Sequence, residues 1–470
     1  MSESGFLSRS YMNQACNEME SDSNTQTTKT PNNETYPQGM LKTFWVMGIT
    51  FAGMGLSLLI RVLLIPKRFG DSDIAVALIT ALNVVILVDT VVREGAKFSL
   101  VPLFVTREKE MTPTKYRLFV NSFLNLFLWG GFLVFILIEF FAPWIASGLL
   151  RKSTFDVQRE TTLLRLCAPL VVFGCGSTVL GAFLNSRQHF KTVALRNALP
   201  AGIAAAVFLI IPNIENLENW IAMAYPVGFG IYFAYLGIGT YRTGHRYQFT
   251  GISLDTLRAL KNTVTLPTLG FAIRQVTNRL LIGIYLVSQL GGVAVARYDY
   301  AFRIFSALQT LIGISIATTG LPDMAANSAV NDKAELGRTL SRNARTAVII
   351  GFPVMLFLLI FHAKIGWLLF GRGKLDDASI KLIGHLLFWL STGIVFSCLI
   401  PVLNAGLYAQ KAYRSVFVNM VTMAVLNFLV AYGLIKTLQL RGIAIAVSIT
   451  ALLAVGNLTY LLRKMRVSWL

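Results

Sequence analysis

VLGAFLNSRQHFKTV at residues 179–193 returns as VLNAGLYAQKAYRSV at residues 402–416. Val, Leu, Ala and Leu recur in register, followed by a basic or amide pair, an aromatic, a basic residue, a hydroxyl and Val. The same offset pairs Trp144 with Trp367. Self-similarity at one long fixed period marks a duplicated architecture. Each copy is a short basic turn between two long apolar runs. The chain therefore reads as two related halves that meet within residues 241–262.

The apolar runs set the fold class. The 470 residues are 54% hydrophobic and only 14% charged, with a mean hydropathy of +0.61. A soluble domain carries about a quarter charged residues. Runs near 20 residues long, without the alternation of a barrel strand, indicate an all-α polytopic membrane protein. The reading places twelve spans in two six-helix lobes. Residues 41–240 hold spans at 43–65, 74–92, 117–141, 162–184, 193–212 and 219–240. Residues 263–470 hold spans at 263–287, 294–320, 346–370, 380–403, 414–435 and 442–462. Residues 241–262 form a cytoplasmic linker with amphipathic character. Residues 1–40 are polar, rich in Ser, Thr and Asn, and are expected to be a disordered cytoplasmic tail, with no cleaved signal peptide.

The net charge of +19 lies in short loops between the spans, so it points to membrane orientation and away from nucleic acid. With the N-terminus inside, about 25 Lys and Arg fall in inner loops and about 10 in outer ones, as the positive-inside rule asks. Both termini are then cytoplasmic. Six spans separate the two copies of the repeat, so both face one side and the lobes form a parallel repeat. Cys16, Cys167, Cys175 and Cys398 have no ligand spacing, and the four histidines are scattered, so neither a disulfide framework nor a metal site is expected. No loop is long enough for a catalytic domain, and no cofactor motif is present. A transporter is expected, not an enzyme.

Ionisable residues inside spans are costly, which makes them the first functional candidates. Arg61, in GLSLLIRVLLIPKRFG, is either a snorkelling arginine or a cavity cation that a bend at Gly53 and Gly55 brings inward. Arg274 and Arg279 share a polar stripe with Gln275 and Asn278, in a helix that Pro267 and Gly270 would bend. That stripe serves either a substrate or the polar face of a neighbouring helix. Arg303 lies four residues after Asp299, so the two are either a self-neutralised pair or part of a patch with Arg297, Tyr298 and Tyr300. Asp89 is a candidate ion site or a charge partner for an arginine, and Asp299 shares that standing. Glu139 reads as interfacial. Interior charges that are mainly arginines suit an anion, phosphate or pyrophosphate above all.

These residues also carry a resemblance. REGAKFSLVPLF at 93–104, with Phe69–Gly70 ahead of it, resembles the second-helix signature of the MurJ/MviN lipid II flippases. GAFLNSRQHFKTVAL at 181–195 resembles that family's loop after the fourth helix, and LLFGRGKLDDASI at 368–380 is similar to another of its stretches. The spacing from Arg303 to Leu321–Pro322 fits as well. The resemblance covers most of residues 45–462 and extends to the multidrug/oligosaccharidyl-lipid/polysaccharide exporter superfamily. It implies a flippase that moves an undecaprenyl-pyrophosphate-linked saccharide, a lipid II-like lipid-linked oligosaccharide, across a bacterial inner membrane by alternating access. It implies that Arg61 and Arg303 engage the pyrophosphate and that Glu94, Gly95, Pro102 and Gly373 are structural signature positions. Energy would come from the membrane potential or a coupling ion, and the partners would be membrane lipid and glycan-synthesis proteins. Where the family has an acid after the first-helix arginine this chain has Val62, and Asp89 stands near the place of a family arginine. Two helices that the family adds after its core twelve are not expected in this chain. These departures keep open a flippase for exopolysaccharide or O-antigen units, and a cation-coupled multidrug antiporter remains a further alternative.

Overall fold

The computed structural model describes residues 48–49, 51–149, 157–187, 189–210, 215–329, 332–410, 412–467 and 469. The polar tail expected at 1–40 lies outside the described residues. The described regular structure is helical throughout: α1 (51–69), α2 (Asp73–Glu110), α3 (Pro113–Leu149), α4 (Val157–Cys167), α5 (Leu170–Ser186), α6 (Phe190–Ala194) and α7 (Ala198–Ile210). It continues with α8 (Leu217–Arg242), α9 (254–288), α10 (292–329), α11 (Lys333–Phe370), α12 (Asp377–Ser391), α13 (Ile394–Ala409) and α14 (Tyr413–Lys464). Among the described residues seven helices are long and apolar enough to cross a membrane, or eight if α12 and α13, bent by 48°, count as one span. The chain is an all-helical, multi-pass membrane protein.

That count is smaller than the number of apolar runs in the sequence, for local reasons. α7 has only 13 apolar residues. α14 joins two runs in 52 residues, although Gln439 inside it has φ 51° and ψ −135°. At 1.5 Å per residue those 52 residues would extend about 78 Å, against a hydrocarbon core of about 30 Å. Between α12 and α13, Gly393 leaves room for Ser448 of α14, whose Cα would stand 2.7 Å from a Cβ there.

The repeated stretch has the same backbone in both copies. His189 N–H donates to Leu184 O at 2.9 Å, and Ala412 N–H donates to Leu407 O at 3.0 Å. His189 has φ −84°, ψ 51°; Ala412 has φ −80°, ψ 49°. At the same offset Asn216 and Gln439 both take positive φ, 53° and 51°.

Three helices that carry candidate charges are locally widened. Leu59–Leu64 in α1, Val276–Leu286 in α9 and Thr310–Ile314 in α10 are π-type turns. In α1 the cause is Pro66, which has no N–H to give the carbonyl one turn back. Ile65 N–H instead reaches Ile60 O. Such widened turns re-aim side chains and recur at functional positions.

α2 is the central helix. Ala75, Val76, Leu78, Ile79 and Leu82 near its start are almost wholly buried. At one end of α2, Tyr300 Oη of α10 donates to Gly70 O at 2.6 Å, and Arg297 Nε pairs with Asp71 at 2.7 Å. Ser379 of α12 donates to the same carboxylate at 2.8 Å. Gly70 (φ 63°) and Gly373 let the two loops meet, since a Cβ on Gly373 would stand 3.0 Å from Lys67 Cα. About 35 Å further along, past the middle of α2, a Cβ on Gly95 would overlap Thr268, so α2 and α9 touch there.

Candidate functional site

The widened turn of α1 places Arg61 inside, 3% exposed, so it is not snorkelling to the membrane surface. Its Nη1 donates to Asn83 Oδ1 of α2 at 2.9 Å. Arg303 of α10 donates to the same oxygen. Asn83 Nδ2 donates to Asp299 Oδ1 at 3.0 Å, and Arg303 Nε reaches Asp299 Oδ2 at 3.3 Å. Arg303 and Asp299 therefore form the i,i+4 pair that their spacing allows, and Asn83 ties that pair to Arg61.

Arg279, in the widened turn of α9, lies within electrostatic reach of Arg303, Arg61 and Asp299. Its Nη1 has no hydrogen-bond partner among the described residues. Three guanidiniums thus lie within electrostatic reach of one carboxylate, an excess of positive charge in a low-dielectric interior where charge interactions are strong. Arg303 and Arg279 keep partial exposure, so the cluster is reachable. Guanidinium donors in excess of acceptors fit a phosphate-bearing group, which takes paired N–H bonds.

The other candidates lie elsewhere. Arg274 sits over the Phe271 ring, 5.1 Å from its centroid, its Nε without a hydrogen-bond partner among the described residues, within electrostatic reach of Tyr408 and Glu94. Its neighbour Asn278 faces α14 and accepts from Asn427 at 2.9 Å. Asp89 is held by Arg196, which also rests 5.7 Å from the Phe229 ring centroid. Glu94 pairs with Arg93 at 2.5 Å. Glu139 pairs with Arg165 at 3.6 Å, and both side chains are partly exposed. Arg297 and Tyr300 belong to the clamp on Gly70 and Asp71, and Tyr298 is buried against Phe302. Pro102 lies within α2, but its side chain falls outside the described residues.

Sequence reasoning that weighed only ionisable groups passed over Asn83 and Arg196. Asn83 is the hub of the cluster and stands alone among apolar neighbours in ITALNVVILV. An amide inside a span was the available signal. Arg196 lies near the start of the run at 193–212, three residues past the repeated stretch, and was not weighed among the charges inside spans.

A family pattern described as "MurJ: Lipid II flippase MurJ" matches residues 65–468. A protein of Burkholderia cenocepacia named lipid II flippase MurJ is 24% identical over 407 residues, covering 84% of this chain and 78% of that protein. Among solved structures, one titled as lipid II flippase MurJ in an inward closed conformation superposes with a TM-score of 0.76 at 19% identity, covering 90% of this chain and 87% of the other. An inward-facing multidrug resistance MATE family transporter of the MOP superfamily superposes with a TM-score of 0.73 at 14% identity, covering 89% and 94%. At these identities the two structures speak for the fold alone.

Proposed function

The chain belongs to the lipid II flippase MurJ family, and from that premise and the arginine cluster we propose how it carries its cargo. The cargo is an undecaprenyl-pyrophosphate-linked saccharide of the lipid II type, moved from the inner to the outer leaflet of a bacterial inner membrane. The observation that carries this reading is the network of Arg61, Asn83, Asp299 and Arg303, with Arg279 and its unpartnered Nη1 (among the described residues) within electrostatic reach of it. The pyrophosphate takes the unpartnered guanidinium N–H bonds and displaces Arg303 from Asn83. Arg274, one to two turns along α9, meets the headgroup on its way in. The polyprenyl tail stays in lipid.

Transport proceeds by alternating access between two six-helix lobes, twelve crossings in all, with both termini cytoplasmic. The length of α14 and its break at Gln439 support counting it as two crossings, and the matching turns after Leu184 and Leu407 support a parallel repeat. In this arrangement residues 41–240 form one lobe and residues 263–470 the other. The Gly70–Asp71 clamp lies on the outer side and the Gly95–Thr268 contact on the inner side. Asn83 and Asp299 bridge the lobes, so ligand charge at the cluster bears directly on their relative motion. A membrane potential of 100 mV is worth about 2.3 kcal/mol per charge moved, enough to bias a two-state cycle.

The test is growth of cells whose own lipid II flippase is depleted. Expression of this chain restores growth, and Arg303→Ala or Arg61→Ala abolishes the rescue at equal protein level. Rescue that survives both changes overturns the arginine mechanism. The cluster grips pyrophosphate and not sugar, so a flippase for exopolysaccharide or O-antigen units uses the same geometry. Failure of rescue with protein in the membrane favours that cargo. A multidrug antiporter instead needs Asp89, so Asp89→Asn would stop transport while the arginine variants kept it.

A further inference from the structure

An open cleft of about 560 Å³ lies along the start of α11, and none of its lining residues belongs to the arginine cluster. Arg338, Arg342 and Arg345 line it at i, i+4 and i+7, one helix face about 10 Å long. Ser341 and Thr346 add hydroxyls, and Trp469 near the C-terminus closes one side. The Trp469 indole N–H is buried and has no acceptor among the described residues. One turn further along, Ile349 also lines the cleft and is 70% exposed.

The charges already present do not fill this site. Arg338 pairs with Glu335 at 3.1 Å, and Arg342 stands 3.9 Å from Asp323. Those arginine side chains are 79% and 70% exposed, so both pairs are screened by water and readily exchanged. Arg345 has no ion pair among the described residues and is exposed. α11 has 38 residues, about 57 Å, of which a bilayer core takes about 30 Å. Its polar first turns therefore stand in the headgroup layer while Ile349, Ile350 and Phe352 face the lipid. Arginines, hydroxyls and a tryptophan at that depth, above an apolar lip, match the layering of a phospholipid.

We propose that this cleft binds the headgroup of an anionic phospholipid. The phosphodiester bonds to Arg342 and Arg345, Trp469 donates its indole N–H to a headgroup oxygen, and the acyl chains run down α11 past Ile349. The bound lipid tethers Trp469 to α11. This inference does not depend on the cargo of the arginine cluster.

The experiment is native mass spectrometry of the purified full chain in detergent, titrated with dioleoyl phosphatidylglycerol, dioleoyl phosphatidylcholine or undecaprenyl pyrophosphate. The wild type holds phosphatidylglycerol at least tenfold more tightly than phosphatidylcholine. The Arg342→Gln/Arg345→Gln double variant loses that preference, and Trp469→Phe weakens it several-fold. These arginines are exposed, so the fold tolerates their replacement, and thermal unfolding checks it. Equal binding of the two phospholipids by the wild type overturns the proposal, as does a double variant with unchanged preference. Undecaprenyl pyrophosphate displacing phosphatidylglycerol from the wild type at equal concentration also overturns it, because the cleft is then a station for cargo.

Discussion

Asn83 holds the interior charges in place with one amide. Its oxygen accepts from Arg61 and Arg303, and its nitrogen donates to Asp299. Hydrogen bonds to charged groups contribute about 1.5–3 kcal/mol, and a factor of ten is about 1.4 kcal/mol. Asn83→Ala should therefore cut flippase-dependent growth rescue about tenfold or more at equal protein level; full rescue would mean that the amide is dispensable. Val62, which follows Arg61, is 4% exposed in the apolar core, so the acid serving Arg61 comes from α10 through Asn83 and not from its chain neighbour.

His245, in the linker outside the spans, behaves differently. Burial, and then the positive charges of Arg117 and Arg187, push its pKa down to about 4. It bonds Asn121 Oδ1 at 2.8 Å. A depressed histidine pKa means that the unfolded chain binds the extra proton more readily. Stability is then full above about 6.5 and falls as the pH drops through the window toward 4. Lowering the pH from 7.5 to 5 should reduce Tm by about 1–3 °C more in the wild type than in His245→Gln, given that 1 kcal/mol moves Tm by about 2–4 °C or less at this size. Parallel curves would remove His245 as the cause.

Among the elements, the linker and α2 show how contacts fix motion. The linker is laced to α3: Tyr247 Oη donates to Asn125 at 2.7 Å, Asn125 Nδ2 donates to Thr250 O at 2.7 Å, and Ser253 N–H donates to Ser122 at 3.0 Å. The expected amphipathic helix starts only at Leu254, where Ser253 caps it by accepting from Thr256 N–H. The first turn of α9 joins the same lacing, since Thr256 Oγ1 donates to Ser122 at 3.0 Å. α2 and α9 approach closely at Gly95 because any side chain there would overlap Thr268. Gly95→Val should hold the two helices apart there. Spin labels on α2 and α9 would report a longer distance, and growth rescue would fall. Thr268→Gly should recover part of both. An unchanged distance in Gly95→Val would sink the idea that this contact closes the molecule.

At the scale of the whole molecule, Asp71 is the counterpart at the opposite end. It receives Arg297 from α10 and Ser379 from α12, and it lies beside the contact of Gly70 with Lys374. The Asp71 and Arg297 side chains are 19% and 28% exposed, sheltered enough for coupling to be measurable. Removing either charge should shift the open fraction at that end by up to about tenfold per 1.4 kcal/mol lost. Cysteine alkylation beside Gly70 would read that fraction in Asp71→Asn, Arg297→Gln and the double variant. The double variant should open no further than the singles. Strictly additive effects would show that the two residues do not act as a pair.

The sequence by itself determined the class of the chain. Hydrophobic runs cannot be left in water, and runs of this length without strand alternation satisfy their backbone in lipid as helices, not as a barrel. It also marked the turns around Leu184 and Leu407, because a repeated short pattern folded into the same backbone twice. It named Arg61, Arg279 and Arg303, since an arginine inside a span is costly wherever it points. It did not reveal which of these arginines meet, nor that Asn83 joins them, because contacts 216 or 220 residues apart leave no periodic trace. Nor did it distinguish α2 from α11, whose most apolar stretches are equally hydrophobic. That stretch of α2 is mostly buried within the protein, and that of α11 is mostly exposed. Lipid and protein interior are equally apolar solvents, so only the packing of the other helices decided which one became the centre.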